Sequence, residues 1–299
     1  MSNQNVIDKV VDNLINKIDS GKLNWNKPWA SHGFLPMNAV SGHSYNGINL
    51  LTCMANPFES NLYMTANQIK KLGGTWSGSG TLIVFWSILQ FDKVKKDGSI
   101  GKTTVPLLKF HYLWNEEQIK GIDFSKYKKQ RAALNPIKEA QDIIDNWLTK
   151  PKIENKASNR ACYFPSIDKV SMPLFKQFNS ENEYYSTLFH ECIHATGHES
   201  RLKREGIINY TGFGSEGYSA EELVAEFGAA FLCAMTGIAN ENTEKNSAAY
   251  LQGWVKKFKN DKQMLFKAVT AAQKAVDCIS NKQPYNAKEK EAEAVEAEA

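Results

Sequence analysis

Residues 180–197 read SENEYYSTLFHECIHATG, and this stretch has the start and stop signals of one helix. Ser180 followed by Glu183 forms a capping box, in which the two side chains satisfy free amides of the first turn. Apolar side chains recur from Tyr185 to Phe189, as in a helix with one buried face. Gly197 can take the left-handed conformation that ends a helix. The sequence therefore predicts a helix that begins after Ser180 and ends before Gly197.

The HExxH pattern His190-Glu191-Cys192-Ile193-His194 lies inside this predicted helix. Residues four apart share a helix face, so both imidazoles can bind one metal ion. Glu191 lies one step further round the helix, where it can take a proton from water at the open position of the ion. Neutral imidazoles suit zinc, and manganese or another divalent ion is an alternative. Because HExxH also arises by chance, the prediction of one bound zinc ion requires a third ligand.

His198 is one candidate for the third ligand. It lies four residues beyond His194, but the intervening Gly197 is expected to turn the chain away. The longer pattern HExxHxxGxxH also fails, because the position at which it requires a histidine is Ser200. A ligand from a later helix therefore has to be considered.

Glu222 is the second candidate, on a predicted helix over residues 219–231. At about 100° per residue the large apolar side chains of this segment form one stripe. They are Leu223, Val224, Phe227 and Phe231. Glu222 falls opposite this stripe, beside the small residues Ala225 and Ala229, which would let another helix approach closely. We therefore expect Glu222 to complete the metal site with the two histidines.

The neighbours of Glu222 are assigned other roles. Glu221 lies off the same helix face and is expected to be solvated. Glu226, one turn on, is placed to accept a hydrogen bond from a ligand histidine and so orient its ring. Tyr218 and His198 are candidates for stabilising a developing oxyanion.

Over the whole chain, the pattern predicts a two-domain α+β protein. The first half has an amphipathic helix at residues 6–18, a short helix at 65–72 and a β-hairpin formed by 81–94 and 103–114 around a turn at 97–98. Helices predominate from residue 180 to about residue 280. The expected boundaries are a first domain over 1–125, a basic linker over 126–135, a mostly helical second domain over 136–287 and a disordered acidic tail over 288–299.

Composition excludes several classes of protein. With 299 residues, 42% hydrophobic and 23% charged, the chain is typical of a soluble protein of two domains. The apolar run at 82–89 is too short to cross a bilayer, and residues 1–12 lack a secretory core, so we expect a cytoplasmic protein with no membrane partner. Five scattered cysteines without a CxxC spacing favour the same compartment. Residues 1–150 carry 18 Lys and Arg against 12 Asp and Glu, a net charge of +6, which suits a polyanion without requiring one.

Segments in both halves follow one another in an order known from a protein family. The segments of the second half are YYSTLFHECIHATGH at 184–198, RL at 201–202 and EELVAE at 221–226. The segments of the first half are WNKPW at 25–29, YNGIN at 45–49, TANQI at 65–69 and WN at 114–115 with Gln118. Together they resemble the ArdC-type antirestriction proteins, and the pattern also occurs in TraC-type primases of conjugative plasmids. The resemblance implies a single-stranded-DNA-binding domain joined to a zincin-like metallopeptidase domain, and a role in shielding incoming plasmid DNA from host restriction. The spacing from 222 to 232 also resembles ImmA-type metalloproteases, which supports Glu222 as a ligand.

Binding of single-stranded DNA requires aromatic faces for the bases and cations for the backbone. The predicted DNA-binding residues are Trp25, Lys27, Trp29, Tyr45, Asn49, Lys70, Lys71 and Trp76. Any one ring in a small domain more often packs in its core, and surface lysines are mostly solvated. The prediction of DNA binding therefore depends mainly on the resemblance.

Three functions remain open at this point. The first is an antirestriction protein that binds single-stranded DNA and carries a metallopeptidase-type site. The second is a DNA-dependent metalloprotease that cleaves a DNA-bound or regulatory protein, with the peptide substrate paired to an edge strand at 169–172. The third is a non-enzymatic protein that coats DNA and holds its ion for stability. The sequence leaves the protein substrate and the oligomeric state undetermined.

Overall fold

The structure, a computed structural model, describes residues 3–20, 35–94, 99–128, 135–209, 216–238 and 241–282. The helices are α1 (Asn3–Asp19), α2 (Gly47–Met54), α3 (Ala66–Lys71), α4 (Pro136–Asn146), α5 (Glu181–Thr196), α6 (Glu205–Ile208), α7 (Glu216–Thr236), α8 (Glu241–Asn260) and α9 (Lys262–Ile279). The strands are β1 (Met37–Asn38), β2 (Leu62–Thr65), β3 (Thr75–Trp76), β4 (Thr81–Val94), β5 (Ile100–Asn115), β6 (Ile119–Lys120), β7 (Lys152–Lys156), β8 (Cys162–Phe164) and β9 (Lys169–Pro173). Most strand pairs are antiparallel and, in the described part of the chain, the last five helices follow one another without an intervening strand, so the fold is α+β, as predicted.

A long β-hairpin is the main feature of the first half. Strands β4 and β5 pair antiparallel from Thr81 opposite Leu113 to Val94 opposite Ile100, which confirms the predicted hairpin. The predicted turn at 97–98 lies outside the described residues. Strands β2 and β1 extend the sheet beyond β5 in the order β1-β2-β5-β4, and β3 pairs with β6 in a separate two-stranded sheet.

Helix α1 has the predicted amphipathic pattern and contacts both halves of the chain. Its apolar face is buried and consists of Val6, Ile7, Val10, Val11, Leu14, Ile15 and Ile18. The helix packs against β4 and β5 on one side and against α8 and α9 on the other. Asp12 pairs with Lys262, and Asp19 pairs with Lys259, each at 2.7 Å. One hydrophobic core therefore includes residues from both predicted domains, and the boundary at 126–135 stays a prediction.

Side chains cap the starts of two shorter helices, and α3 was predicted from the sequence. Thr65 caps α3 in a capping box with Gln68, and Gly73, with φ +76°, follows the end of that helix. Asn135 caps α4 by accepting hydrogen bonds from the amides of residues 137 and 138, and Pro136 is its first residue. Residues 129–134 of the predicted linker and the predicted tail at 288–299 lie outside the described residues. Within the described ranges, no helix is both long and apolar enough to cross a membrane.

A three-stranded sheet precedes α5, and its order corrects one prediction. The order is β7-β9-β8, so β9 is the central strand, parallel to β7 and antiparallel to β8. The segment at 169–172 is therefore not an edge strand. Val170, Ser171 and Met172 are all buried because β9 is covered on both edges and both faces. Alternation of apolar residues over so short a segment does not distinguish an edge from a centre. The edge strand that contacts the HExxH segment is β8.

Candidate functional site

Helix α5 presents both histidines of the HExxH pattern on one face. Ser180 accepts a hydrogen bond from the amide of Glu183 at 3.1 Å, which confirms half of the capping box. The Glu183 carboxylate instead accepts from the amide of Asn179 at 2.8 Å, one residue before the cap. His190 and His194 lie one turn apart, with their Nε2 atoms separated by 3.1 Å. Both rings can therefore point at one position.

Gly197 ends α5 for a different reason from the one predicted. Its φ is −76°, so the predicted left-handed conformation is wrong. The glycine is needed for space, because a Cβ there would lie 2.5 Å from Cγ1 of Ile207 and 3.0 Å from Nη2 of Arg204. The left-handed residue comes later, at Lys203, with φ 49°. The absence of a side chain at Gly197 lets the segment around α6 pack against the end of α5.

Helix α7 brings Glu222 to the two histidines. Oε2 of Glu222 lies 3.5 Å from Nε2 of His190, and Oε1 lies 3.4 Å from Nε2 of His194. The helices approach closely at Gly228, where a Cβ would lie 2.6 Å from Cδ1 of Ile193. Small residues at this contact were expected at Ala225 and Ala229, and Gly228 is a further one that the sequence reasoning did not name.

The spacing of these three side chains fits a metal ion. One ligand atom from each of His190, His194 and Glu222 lies within 4.8 Å of the others. Tetrahedral ligands about 2.0–2.1 Å from zinc are about 3.3 Å from one another. The two Nε2 atoms are 3.1 Å apart, and the nearest Glu222 oxygen is 3.5 Å from that of His190 (Oε2) and 3.4 Å from that of His194 (Oε1). Two imidazoles and one carboxylate also form a known donor set of catalytic zinc sites, which keep a fourth position for water.

Glu221 is buried, and the expectation that it is solvated is wrong. Its side chain is 3% exposed, and its Oε1 lies 3.4 Å from Nδ1 of His194. Arg204 donates to both carboxylate oxygens, Nε to Oε2 at 2.9 Å and Nη2 to Oε1 at 2.6 Å. A carboxylate behind a metal-binding imidazole fixes the tautomer and orientation of the ring. Glu221 therefore has toward His194 the position that was predicted for Glu226.

Glu226 lies behind the other histidine. Its Oε1 is 3.7 Å from Nδ1 of His190, which is longer than a hydrogen bond. Each of the two histidines thus has one carboxylate near Nε2, that of Glu222, and a second carboxylate near Nδ1. The role predicted for Glu226 stays a prediction, with His190 as the imidazole that it would orient.

Arg204 is a site residue that the sequence reasoning missed. Besides Glu221, it binds the end of α5, donating to Oγ1 of Thr196 and to the carbonyl of Ile193, both at 2.7 Å. One guanidinium thus connects the helix of the histidines to the helix of the carboxylates. No periodic pattern links Arg204 to Glu221, because 17 residues separate them and the connection arises only in the folded chain.

Glu191 contacts the edge strand β8. Its Oε2 accepts a hydrogen bond from the amide of Tyr163 at 2.7 Å. The phenol of Tyr163 donates to Oδ1 of Asp168 at 2.8 Å. Arg201 binds both oxygens of Asp168 and donates from Nε to the carbonyl of Ala195 at 2.7 Å. This second set of contacts, which sequence reasoning also missed, fixes β8 against α5 and so fixes the partner of Glu191.

A cavity of about 960 Å³ opens over the motif. His190, Glu191, His194 and Glu222 line it together with β8, and His198 lies on its wall. Nδ1 of His198 is 2.8 Å from Oγ of Ser200, so the ring is held locally. The side chain of Tyr218, the other predicted oxyanion candidate, lies outside the described residues.

The carboxylates and imidazoles of the site shift one another's pKa values. Burial alone would lower the pKa of His194, but hydrogen bonds to Glu221 and Glu222 outweigh it and raise that pKa to about 10. Burial alone would raise the pKa of Glu222, but hydrogen bonds from both histidines hold it well below its usual value.

The predicted DNA-binding residues have varied positions. Trp25, Lys27 and Trp29 lie outside the described residues. The ring of Tyr45 packs edge-on against Tyr63 beside a buried cluster, with centroids 6.2 Å apart. Asn49 donates to the carbonyl of Val84 and accepts from its amide, so the amide group of Asn49 supports the sheet.

The remaining three predicted residues lie together. Lys70 and Lys71 are exposed at the end of α3, and Trp76 is partly exposed in β3. Nζ of Lys70 lies 5.9 Å from the ring centroid of Trp76. Among the predicted residues that the structure describes, Lys70 and Trp76 lie side by side, and DNA contact by all eight stays a prediction.

Two family models match the chain, one in each half. A model of the N-terminal domain of anti-restriction factor ArdC matches residues 4–120. A model of a zincin-like metallopeptidase matches residues 138–272. The chain therefore contains two domains of these kinds, in the predicted order.

Relatives and solved structures agree with these models. A DNA primase TraC of Escherichia coli is 32% identical over 288 residues, which cover 90% of this chain and 19% of the primase. The chain thus spans about a fifth of that relative. The metal-free crystal structure of the antirestriction ArdC protein from plasmid R388 is 30% identical, with a TM-score of 0.71, and the match covers 93% of this chain and 99% of that one. Its Mn(II)-bound structure matches with a TM-score of 0.67 at 30% identity and covers 92% and 97%.

Proposed function

Because this chain belongs to the ArdC family of antirestriction proteins, we propose that it binds single-stranded DNA, protects incoming plasmid DNA from restriction and carries a metal-dependent peptidase-type site. The family relationship supports the antirestriction fold and the zincin-like domain. Binding of single-stranded DNA, protection and hydrolysis are the parts that this proposal adds.

The observation that carries the catalytic half is the convergence of three ligand atoms beside Glu191 in an open cavity. We propose His190, His194 and Glu222 as ligands of one divalent ion, zinc or manganese. The R388 relative has a Mn(II)-bound structure, which supports a divalent ion without selecting zinc. When bound, such an ion would polarise a water molecule and lower its pKa toward neutrality.

Glu191 is the proposed general base. Its Oε2 is held by the amide of Tyr163 at 2.7 Å, so Oε1 is the oxygen that would accept a proton from water and later deliver it to the departing amine. Burial of the carboxylate beside the cavity favours this proton transfer because few water molecules compete with it. His198, on the cavity wall, and Tyr218 stay the proposed oxyanion stabilisers.

A peptide substrate would lie along β8. This strand is an edge of its sheet and borders the cavity, so an extended peptide can lie along it and bond to main-chain groups other than the amide of Tyr163, which already donates to Glu191. The sequence predicted an edge strand at 169–172, but that strand is central in its sheet. We therefore propose Cys162–Phe164 as the strand beside which the peptide lies. A DNA-bound or regulatory protein with an unstructured segment is the class of substrate that this geometry favours.

Substitution of Glu191 by glutamine separates the possible roles. The glutamine oxygen can still accept from the amide of Tyr163, so we expect the fold, the metal content and DNA binding to be unchanged. The measurements are cleavage of an unfolded casein and protection of unmodified plasmid DNA during transfer into a restricting host. Glu199→Gln is the matched control, because Glu199 is an exposed carboxylate on the same cavity wall.

The outcomes distinguish the three functions. Loss of protection in Glu191→Gln, with metal and DNA binding retained, would support a hydrolytic role. Full protection by Glu191→Gln would rule out hydrolysis as the basis of protection and favour a protein that coats DNA. Failure of the unsubstituted protein to bind single-stranded DNA would contradict the first half of the proposal.

A further inference from the structure

Four aromatic side chains form a continuous row on the first domain. Phe110, Tyr112 and Trp114 alternate along β5 and therefore share one face of the hairpin. The ring centroids of Phe110 and Tyr112 are 6.3 Å apart, and those of Tyr112 and Trp114 are 6.4 Å apart. Trp76, in β3, continues the row at 4.9 Å from Trp114. We call these four residues the aromatic row.

One end of the row is anchored and the other is exposed. Trp76 and Trp114 pack against the small hydrophobic core of the first domain, and Nε1 of Trp114 donates to the carbonyl of Gly78. Phe110 is 38% exposed and Tyr112 is 37% exposed. Rings that served only to fill a core would be buried more completely. The two exposed rings are therefore accessible to a partner outside the domain.

Space beside the row is kept by Gly80. A Cβ at Gly80 would lie 3.0 Å from ring atoms of Trp114 and 3.0 Å from Cβ of Tyr112. The glycine-rich stretch at 73–80, which matches no nucleotide-binding fingerprint, has a steric role here. Its main chain lies against the row and holds the rings in place.

Positive charge accompanies the row. Nζ of Lys70 lies 5.9 Å from the centroid of Trp76. Nζ of Lys9 lies 5.8 Å from the centroid of Tyr112 and 3.1 Å from its hydroxyl. Within the described part of the chain, neither lysine forms an ion pair with a carboxylate. Both ammonium groups are therefore available to an anionic partner that contacts the rings.

Aromatic faces beside unpaired cations are the elements that bind single-stranded nucleic acid. The spacing of 6.3–6.4 Å along β5 is nearly twice the rise of about 3.4 Å per nucleotide in a B-form strand. Bases that stack one per ring must therefore be separated from one another. A single strand can extend in this way, whereas a duplex keeps its bases paired and stacked.

We propose that the aromatic row is the surface on which single-stranded DNA stacks its bases, with Lys9 and Lys70 beside the phosphates. The proposal rests on the DNA-binding half of the proposed function and assigns it to this face of the hairpin. One base on each of the two exposed rings, Phe110 and Tyr112, gives a stacking contact with about two nucleotides, and Trp114 and Trp76 continue the surface beyond them. Only Trp76 and Lys70 of this set were predicted from the sequence.

The test is the affinity of the full chain for a fluorescent oligothymidylate, measured by anisotropy. We expect Phe110→Ala and Tyr112→Ala each to weaken binding about tenfold, since stacking on one ring is worth about that factor. Tyr112→Phe keeps the ring and should bind within about twofold of the unsubstituted protein. Lys70→Gln should reduce the slope of log affinity against log salt by about 0.7.

Phe91→Ala is the matched control. Phe91 is 49% exposed on the same hairpin, but it pairs with Thr103 and so lies on the opposite face from the row. Equal thermal unfolding of all variants shows that the hairpin is intact. If the unsubstituted protein binds the oligonucleotide and the row variants bind as well as the control, the row is not the binding surface. The proposal that the protein binds single-stranded DNA would be unaffected by that outcome. If the unsubstituted protein does not bind, both the row and the DNA-binding half of the proposed function are wrong.

Discussion

Arg204 donates two hydrogen bonds, of 2.9 and 2.6 Å, to the carboxylate of Glu221 on the Nδ1 side of His194. Burial alone would raise the pKa of Glu221, but the hydrogen bonds from Arg204 and His194 outweigh it and hold that pKa below its usual value. Glu221 is therefore charged in the interior. The residue next to it, Glu222, turns to the other side of His194 and reaches Nε2. Two consecutive glutamates thus contact the two nitrogens of one imidazole.

Removal of Glu221 should destabilise the protein strongly. In Glu221→Ala the guanidinium of Arg204, 12% exposed, would keep its charge without its carboxylate. Breaking a buried pair from one side costs about 3–5 kcal/mol in the free energy of unfolding. Urea unfolding of the metal-free protein measures this, with Glu205→Ala, an exposed position on α6, as the control. A loss below about 1 kcal/mol would mean that the pair behaves like a surface salt bridge.

Metal binding should depend on Glu222 more steeply than on Glu226. Glu222→Ala removes one of three proposed ligands, and we expect the purified protein to lose its ion. Glu226→Gln should weaken affinity by about 10–100-fold, as for other groups that orient a ligand imidazole. Elemental analysis and competition with a chelating dye measure both. Glu181→Ala, exposed at the start of α5, is the control, and an ion retained by Glu222→Ala would exclude that carboxylate as a ligand.

Sequence reasoning succeeds here where the determinants are local. The spacing of Val6, Val10 and Leu14 is enough to predict α1, and Thr65 with Gln68 is enough to predict the start of α3. His190 and His194 share a face in any helix, whatever surrounds it. Such features depend on residues within one or two turns of each other.

The same reasoning fails where the burial or pairing of a residue depends on a segment distant in sequence. Glu221 was expected to be solvated because helical period alone places it off the buried stripe. It is buried instead, because Arg204, which is 17 residues away in sequence, hydrogen-bonds to its carboxylate in the folded chain. The central position of β9 follows from its pairing with β7 on its far side. Gly197 has the residue type of a left-handed cap, but its φ is −76° and Ile207 takes up the space that a Cβ would need. Long-range contacts of this kind have no periodicity to be recognised.

Metal binding should release a proton near neutral pH. The pKa of His194 is about 10 in the metal-free protein, above its ordinary value, so the ring is protonated at pH 7. A metal ligand must be the neutral imidazole, so the ion competes with this proton. Affinity should fall up to about tenfold for each pH unit below the pKa of His194. Calorimetry in buffers of different ionisation enthalpy counts the protons released at pH 7, and a count near zero would contradict this coupling.

The close approach of α5 and α7 can be tested at Gly228. Alanine is favoured over glycine in a helix by about 1 kcal/mol, but a Cβ at Gly228 would lie 2.6 Å from Ile193. Overpacking of this kind costs about 1–3 kcal/mol. Gly228→Ala should therefore lower the free energy of unfolding or leave it nearly unchanged, and weaken metal binding by moving Glu222 away from the histidines. Thermal unfolding and metal affinity are the measurements.

Gly253→Ala supplies the matched control, because Gly253 is also helical and a Cβ there would have no neighbour within 4 Å. It should gain about 0.4–1 kcal/mol in the free energy of unfolding, from reduced freedom of the unfolded chain and better helix propensity. Metal affinity should not change, since the site does not involve α8. Equal stabilisation by both substitutions would mean that α5 and α7 can separate without loss of stability. The contact at Gly228 would then not be what positions Glu222. A stability loss at Gly228 alone, accompanied by weaker metal binding, would tie the geometry of the three proposed ligands to the missing side chain at one position.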